Sequence, residues 1–500
     1  MKIHPSAHFV GRIAIALLAT SSLNAQNSTW GGGGTTNNWS DAANWDIAPS
    51  NGNNLIFTLA TRPTNINDSL TSVGNVSVQT TTVNWSISGN DLTLNGNLGI
   101  ATTTANRFLV WGINTTLAAG TRALTARPSN TLQINGLLTG SGGISRAAVI
   151  TTDTFGGGLL LNNSANSFTG NVTLNVGNTR VTSLANSGQN SSLGAGTTAI
   201  TLGNSVSVNR AELTYEGAGN TGTNRGLDLR GRSSSSATLA TIRNNSSNNG
   251  NLTFSGTNTY FNNTANATTA LIFDGTSTGS TVMDSVLLNS GTFILAVTKQ
   301  GNGSLVLNNT NTYTGATTVS AGTLLINGST SVGSAVSVAS GAALGGNGTI
   351  NGVANITGSL RPGNSIGTLN AGTTTWLGAA SAGIATDWVF ELGASNTSDL
   401  LNITGDFTRN TSLGSMFRFN FAGSTALGTF KLVDWSGATT FSAADFTSTN
   451  LGGGNTGSFQ FDGTSLQFVS VPEPSSALLL GLGAVALILL RRHRAVAQKS

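Results

Sequence analysis

One local pattern constrains this chain more than any other: three to five apolar or β-branched residues, then Gly, Asn, Ser or Thr, then another short apolar run. The clearest instance is Leu305-Val306-Leu307-Asn308-Asn309-Thr310-Asn311-Thr312-Tyr313-Thr314-Gly315, followed by Thr317-Thr318-Val319 and Gly322-Thr323-Leu324-Leu325-Ile326. Leu160-Leu161-Asn162-Asn163-Ser164, one extra Ala165, Asn166-Ser167-Phe168-Thr169-Gly170, Val172-Thr173-Leu174 and Gly177 keep the same order of types. A partial third copy is Leu252-Thr253-Phe254-Ser255-Gly256-Thr257-Asn258-Thr259-Tyr260. The spacing between copies varies, so the repeat is degenerate. Strands this short are not stable alone. Stacked coil on coil, they pair in parallel, bury an apolar interior and leave their turns outside, which is how a solenoid gains stability.

Composition supports that solution. Only 8% of residues are charged, Gly numbers 65 and Asn 57, so turn formers are spread along the whole length and long amphipathic helices are disfavoured. The chain is 38% hydrophobic and nearly neutral, unlike a disordered polypeptide, and its 7 Pro exclude collagen. Gly supplies positive φ at coil corners, and Asn tolerates it while offering an amide for ladders along the stack. There is no Cys, so no disulfide stabilises the body. The fold expected is all-β: a parallel β-helix closed by an antiparallel β cap, with a transmembrane helix at the C-terminus. Coils of about 20 to 25 residues predict roughly 13 to 16 coils and a rod of about 60 to 80 Å. A stack of antiparallel sandwiches is the rival fold, because Asn-Gly pairs, as at Asn51, Asn95, Asn135 and Asn249, suit hairpin turns.

The two ends differ from the body. Residues 1–25 combine Lys2 and Arg12 with the apolar run Ile13-Ala14-Ile15-Ala16-Leu17-Leu18-Ala19 and then small residues, the arrangement of a secretory signal with cleavage after Ala25. At the other end Val471-Pro472-Glu473-Pro474 precedes sixteen uncharged residues, Ser475 to Leu490, and then Arg491-Arg492-His493-Arg494. As a helix that run is roughly 24 Å long, slightly short of a ~30 Å hydrocarbon core. Arg491, Arg492 and Arg494 would act as a membrane stop on the cytoplasmic side of the inner membrane, leaving everything before Pro472 outside. The body between the ends holds sixteen basic and seventeen acidic residues. No basic stripe remains to neutralise phosphates, so nucleic acid is not an expected partner.

This tail resembles the PEP-CTERM sorting signal of Gram-negative bacteria. The resemblance covers about the last thirty residues and places Pro472, Glu473 and Pro474 on the recognition motif. It implies an exosortase-type processing enzyme as partner and delivery to the cell surface or an exopolysaccharide-rich matrix. The prolines make the segment extended and unsuited to a helix. The repeat copies, strongest at residues 301–328 and good at 157–177, resemble the autotransporter-associated beta-strand repeat, which implies a right-handed parallel β-helix. Residues 341–370, with Leu344-Gly345-Gly346-Asn347-Gly348-Thr349-Ile350 and Arg361-Pro362-Gly363-Asn364, resemble the segment that usually follows the last such repeat. No barrel-like segment follows here, so self-export in the autotransporter manner is not expected. The organisation expected is a signal peptide over 1–25, an N-terminal cap over 26–60, a solenoid over 61–385, a C-terminal β region over 386–470 and a sorting tail over 471–500.

Chemistry is sparse. The three histidines, His4, His8 and His493, lie in the ends, and with no Cys the body lacks Ser-His-Asp, Cys-His and histidine-metal arrangements. A glycosidase needs two carboxylates, and Glu212 with Glu216, or Asp399 with Asp406, are the nearest pairs, outside any recognisable motif. Lys299 and Lys431 are the only amine bases of the body. Asp274-Gly275 and Asp462-Gly463 lack the spaced ligands of a calcium loop. Thr runs at 80–82, 102–104 and 373–375 have no fixed period and so do not suggest an ice-binding array. Trp30, Trp39 and Trp45 either close the apolar end of the stack or, if exposed, stack on sugars. The function expected is a non-enzymatic structural or adhesive protein without catalytic residues, cofactor or metal. The alternatives are a secreted carbohydrate-active β-helix enzyme and a ligand-binding module built on the N-terminal tryptophans.

Overall fold

The computed structural model describes residues 25–473, apart from 80–81, 147–156, 204–209, 232–237, 263–267, 292–293, 378–386 and 410–416, together with 485, 487 and 488. The chain winds as a three-faced parallel β-solenoid. One long sheet of 15 strands runs from Thr64–Asn67 to Phe407–Arg409. A complete coil goes from this sheet to a second face, then to a first face, and back, as in Thr64–Asn67, Ser72–Val73, Val76–Val78 and Trp85–Gly89. The first face is a 10-stranded sheet from Asn27–Trp30 to Thr259–Asn262, continued by a seven-stranded sheet that opens at Ser329–Thr330. The second face comes in three sections of 4, 7 and 3 strands. Fifteen rungs at ~4.8 Å give a rod of roughly 70 Å.

Alternation within each short strand builds the interior. A single inward column on the long sheet passes in register through Trp85, Leu109, Leu132, Leu159, Thr179, Leu213, Ile242, Phe273, Lys299, Val319, Val338, Ile356 and Trp376. All of these side chains are buried. Coil length varies: Val336 lies opposite Ala354, 18 residues on, whereas Gly177 lies opposite Ala211, 34 residues on. Turns therefore absorb insertions while the strands keep register. Where the coil turns tightly against the rung before, only glycine fits. Gly89 (φ 118°) and Gly346 (φ 107°) would each place a Cβ against backbone of the previous rung, at Asn67 and Ile326.

The antiparallel rival fails, because among the described residues every strand pair is parallel except those of Ser465–Pro472 with Gly428–Trp435 and with Asn455–Asp462. The antiparallel cap is thus present but shorter than the alternating runs suggested. Phe417–Asn420 still pairs in parallel with Trp388–Val389 and Phe446–Thr449. Both ends of the rod are filled with aromatic rings. Trp30, Trp39, Trp45, Phe57 and Trp85 close the N-terminal end. At the other end Trp376 stacks on Trp388 at 3.6 Å and 6°, amid Phe407, Phe417, Phe419 and Phe446. Wide rings cover the open end of a stack at low entropic cost. No helix among the described residues is long and apolar enough to cross a membrane. Of the proposed spanning segment only Val485, Leu487 and Ile488 are described, as helical and exposed.

Candidate functional site

The folded body runs directly into the sorting segment. Pro472 is the last residue of the final strand and lies opposite Asn455, and the Glu473 N–H donates to the Gly454 carbonyl at 3.2 Å. Pairing on the strand's other side ends at Ser470, opposite Gly428. The missing N–H of Pro472 therefore interrupts no ladder. Pro474, Arg491, Arg492 and Arg494 lie outside the described residues. Ala25 is exposed, and its carbonyl accepts from Asn54 Nδ2 at 3.3 Å, two residues before the first strand begins at Asn27.

The N-terminal tryptophans offer no ring face to a ligand. Trp30, Trp39 and Trp45 are buried and meet edge to face, Trp30 with Trp45 at 5.0 Å and Trp39 with Trp45 at 6.2 Å. Their ring N–H groups donate to Thr61 O, Asn65 Oδ1 and Trp39 O. The sugar-stacking alternative is thereby corrected: the rings serve the end of the core.

The carboxylate pairs also separate into other roles. Glu212 meets Arg243 at 3.4 Å and Glu216 meets Arg180 at 3.6 Å, while Arg243 also reaches Asp274 at 2.7 Å. These are half-exposed pairs across neighbouring rungs, each worth about 0–1 kcal/mol. Asp406 accepts the Ala438 N–H at 2.7 Å. Asp399, only 3% exposed, accepts the N–H of Gly367 at 2.9 Å and of Glu391 at 2.8 Å, one on each oxygen. Burial pushes its carboxyl up to about 6, against the opposing pull of those two N–H groups. It latches one turn to another, beside a cavity of about 570 Å³ lined by Glu391, Ile366, Leu392, Phe421, Ala422 and Ser424. The amine bases differ too. Lys431 pairs with Asp434 at 3.1 Å near the surface. Lys299 occupies the inward column and turns its Nζ to the carbonyls of Gln300, Gly301 and Ala321 at 2.7, 2.9 and 3.3 Å. Burial lowers its pKa to about 8, with Asp274 opposing.

The repeat copies share a feature that sequence reasoning did not single out. In Asn166-Ser167-Phe168, Asn258-Thr259-Tyr260 and Asn311-Thr312-Tyr313 the Asn is buried. Each ties three rungs together. Asn166 accepts from Leu138 N at 2.8 Å and donates to Ser192 O at 3.1 Å. Asn258 accepts from Leu227 N at 3.1 Å and donates to Ser285 Oγ at 2.9 Å. Asn311 accepts from Leu287 N at 2.9 Å and donates to Ser329 O at 3.2 Å. Phe168 and Tyr313 fill the corner beneath and are fully buried. The signal was in the sequence, as an Asn two residues before the aromatic in all three copies.

The second face is interrupted between Leu138–Thr139 and Thr221–Thr223, where the loop over 182–199 takes its place. This loop covers the exposed strand edge. Leu184 N–H donates to Thr221 Oγ1 at 2.8 Å, and Thr221 Oγ1 donates back to Leu184 O at 2.9 Å. Ser187 N–H donates to Asn224 Oδ1 at 2.7 Å and Asn224 N–H to Asn186 Oδ1 at 2.9 Å. Arg225, buried beneath, donates to Leu193 O and Thr198 O. Between loop and strands lies an open groove of about 600 Å³.

Residues 297–326 match the family model of the passenger-associated-transport-repeat, and residues 470–494 match that of the PEP-CTERM protein-sorting motif. The first match spans about one and a half coils and contains Asn311 and Tyr313; the second begins inside the final strand. No curated protein matches the chain. The sorting motif marks the chain as an exported protein of the Gram-negative cell envelope, handled by an exosortase.

Proposed function

For an exported solenoid whose last strand leads into an exosortase motif, we propose a non-enzymatic structural or adhesive role at the cell surface or in the exopolysaccharide matrix. One observation carries this reading. Over the last six rungs of the long sheet an outward column passes in register through Thr298, Thr318, Ser337, Asn355, Thr375 and Thr408. It is an uncharged row of hydroxyl and amide groups at ~4.8 Å intervals, suited to many weak hydrogen bonds with polysaccharide acting together. The C-terminal segment holds the chain at the inner membrane until processing releases the rod.

A carbohydrate-active enzyme is the second reading, favoured by the cavity beside Glu391 and Asp399. Glycoside hydrolysis uses two carboxyl groups facing the bond. Here Glu391 is the one carboxylate among the lining residues, and both Asp399 oxygens are already engaged by backbone N–H groups. The test is a combined binding and turnover assay of residues 26–473 on polysaccharides. Binding without product is expected; product formation that is lost in Glu391→Gln would install the enzyme reading instead. Deleting residues 472–500 should release unprocessed protein to the medium, and unchanged surface retention would overturn the sorting role.

A further inference from the structure

We propose that the groove where the second face is interrupted is a cleft for one chain of a neutral polysaccharide. The inference rests on the adhesive reading above and gives it a location. The groove's lining is uncharged, with Asn186, Gln189, Asn190, Asn220, Thr221 and Thr253 supplying the polar groups. Such amides and hydroxyls both donate and accept, as do the hydroxyls of a sugar chain. With no cation to pair, the groove has nothing that selects an acidic polymer.

Two observations bear on this place. Along the stack many amides bond to the neighbouring rung. Asn54 bonds Asn27 at 2.9 Å, Asn327 bonds Asn308 at 2.9 Å and Asn402 bonds Asn370 at 2.8 Å. In the groove the side chains of Gln189, Asn190 and Thr253 make no hydrogen bond among the described residues, and Asn220 uses only its Oδ1, toward Asn251 N. The wall that carries Gln189 and Asn190 is nevertheless fixed, by the four bonds that pin residues 184–187 to Thr221 and Asn224. Unengaged groups on a pinned wall lose little freedom when a ligand arrives.

The floor is shaped for the same purpose. Outward positions of this section run Gly222, Thr253, Val282, Val306, so the position beneath the loop is the one without a side chain. Beyond Ser255 the groove meets a smaller hollow of about 190 Å³ that reaches Asn309. The one acid there, Asp284, is held by Asn308 Nδ2 at 2.6 Å. Together they form a trough across four rungs, about 15 Å along the rod, long enough for several sugar units end to end.

The test uses residues 26–473, which carry every described strand and the whole buried core. The probes are soluble glucans, galactans, mannans and xylans, with alginate as the anionic comparison. Wild type should bind at least one neutral polymer, with affinity unchanged between about 0.05 and 0.5 M salt, because no ionic contact is screened. Thr253→Trp, which fills the trough from an outward position, and the double change Gln189→Ala with Asn190→Ala on the exposed loop should each weaken binding about tenfold or more and leave the melting temperature unchanged. Wild-type affinity in both variants would overturn the groove and leave the adhesive reading standing. No binding to any neutral polymer would overturn both. Binding confined to alginate and abolished by salt would overturn the neutral chemistry.

Discussion

Replacing Asn311 with Ala tests the rung-tying role of the repeat's asparagine. The substitution removes three hydrogen bonds, to Leu287 N, Asn309 O and Ser329 O. Their costs are unequal. The Ser329 carbonyl keeps the Asn311 N–H at 2.8 Å, and the Asn309 carbonyl keeps the Ser329 N–H at 3.1 Å, so neither acceptor is orphaned. The Leu287 N–H has no such substitute, and Leu287 is fully buried. An orphaned buried donor costs about 1–3 kcal/mol, and the lost donor bonds add about 1 kcal/mol more. The expected destabilisation is therefore roughly 3 kcal/mol, on the order of a hundredfold in the local opening equilibrium. In a solenoid each coil contacts only its neighbours, so the effect should be confined. Amide hydrogen exchange should accelerate at Leu287 and in Ser304–Leu307 and Thr323–Ile326, while Trp85–Gly89 keeps its protection. Asn308→Ala, which removes two exposed bonds, to Asp284 and from Asn327, is the control and should change little. Wild-type protection at Leu287 in Asn311→Ala, or an equal loss in the control, would refute the assignment.

Other outcomes follow from buried charge and from the sorting end. Asp399 titrates near 6 when folded and near 3.8 when free, so the folded state binds the proton more tightly; stability should fall as pH rises from about 4 to about 6. Urea midpoints across that range should show the slope, and Asp399→Asn should flatten it; an identical slope in the variant would remove Asp399 as its source. Val319 and Val338 are consecutive in the same buried column, but only Val319 is in register with Lys299. Val338→Asp should cost several kcal/mol as an unpaired buried charge, and Val319→Asp at least ~1 kcal/mol less, because the ammonium is at hand; equal melting temperatures would contradict this. Because Pro472 ends the final strand and the Glu473 N–H is bonded to the Gly454 carbonyl, a Gly-Ser-Gly-Ser insertion between Val471 and Pro472 should speed processing in cells that make the enzyme. An unchanged rate by mass spectrometry would show that the motif is reached without freeing the strand.

Much of the candidate site was not legible in advance. The search for catalytic pairs followed nearness in sequence and chose Asp399 with Asp406, yet the acid beside Asp399 is Glu391, brought there by the turn that Asp399 itself closes. The groove has no motif at all. It exists because two coils lack a strand on one face and a loop crosses the gap.

What the chain determined locally is the alternation of short strands with Gly and Asn turns, the buried aromatics Phe168 and Tyr313, and the sorting segment, since each depends on contacts only a few residues long. Stacking decided the rest. The copy at Leu305 begins on the second face, whereas the copy at Leu160 begins on the long sheet, so the same run of residues does not specify its own face. With coils of 16 to 34 residues, the rung above chooses register. Only that choice places Lys299 inside, turns Asn311 into a tie between rungs and sets Gln189 and Asn190 along the groove.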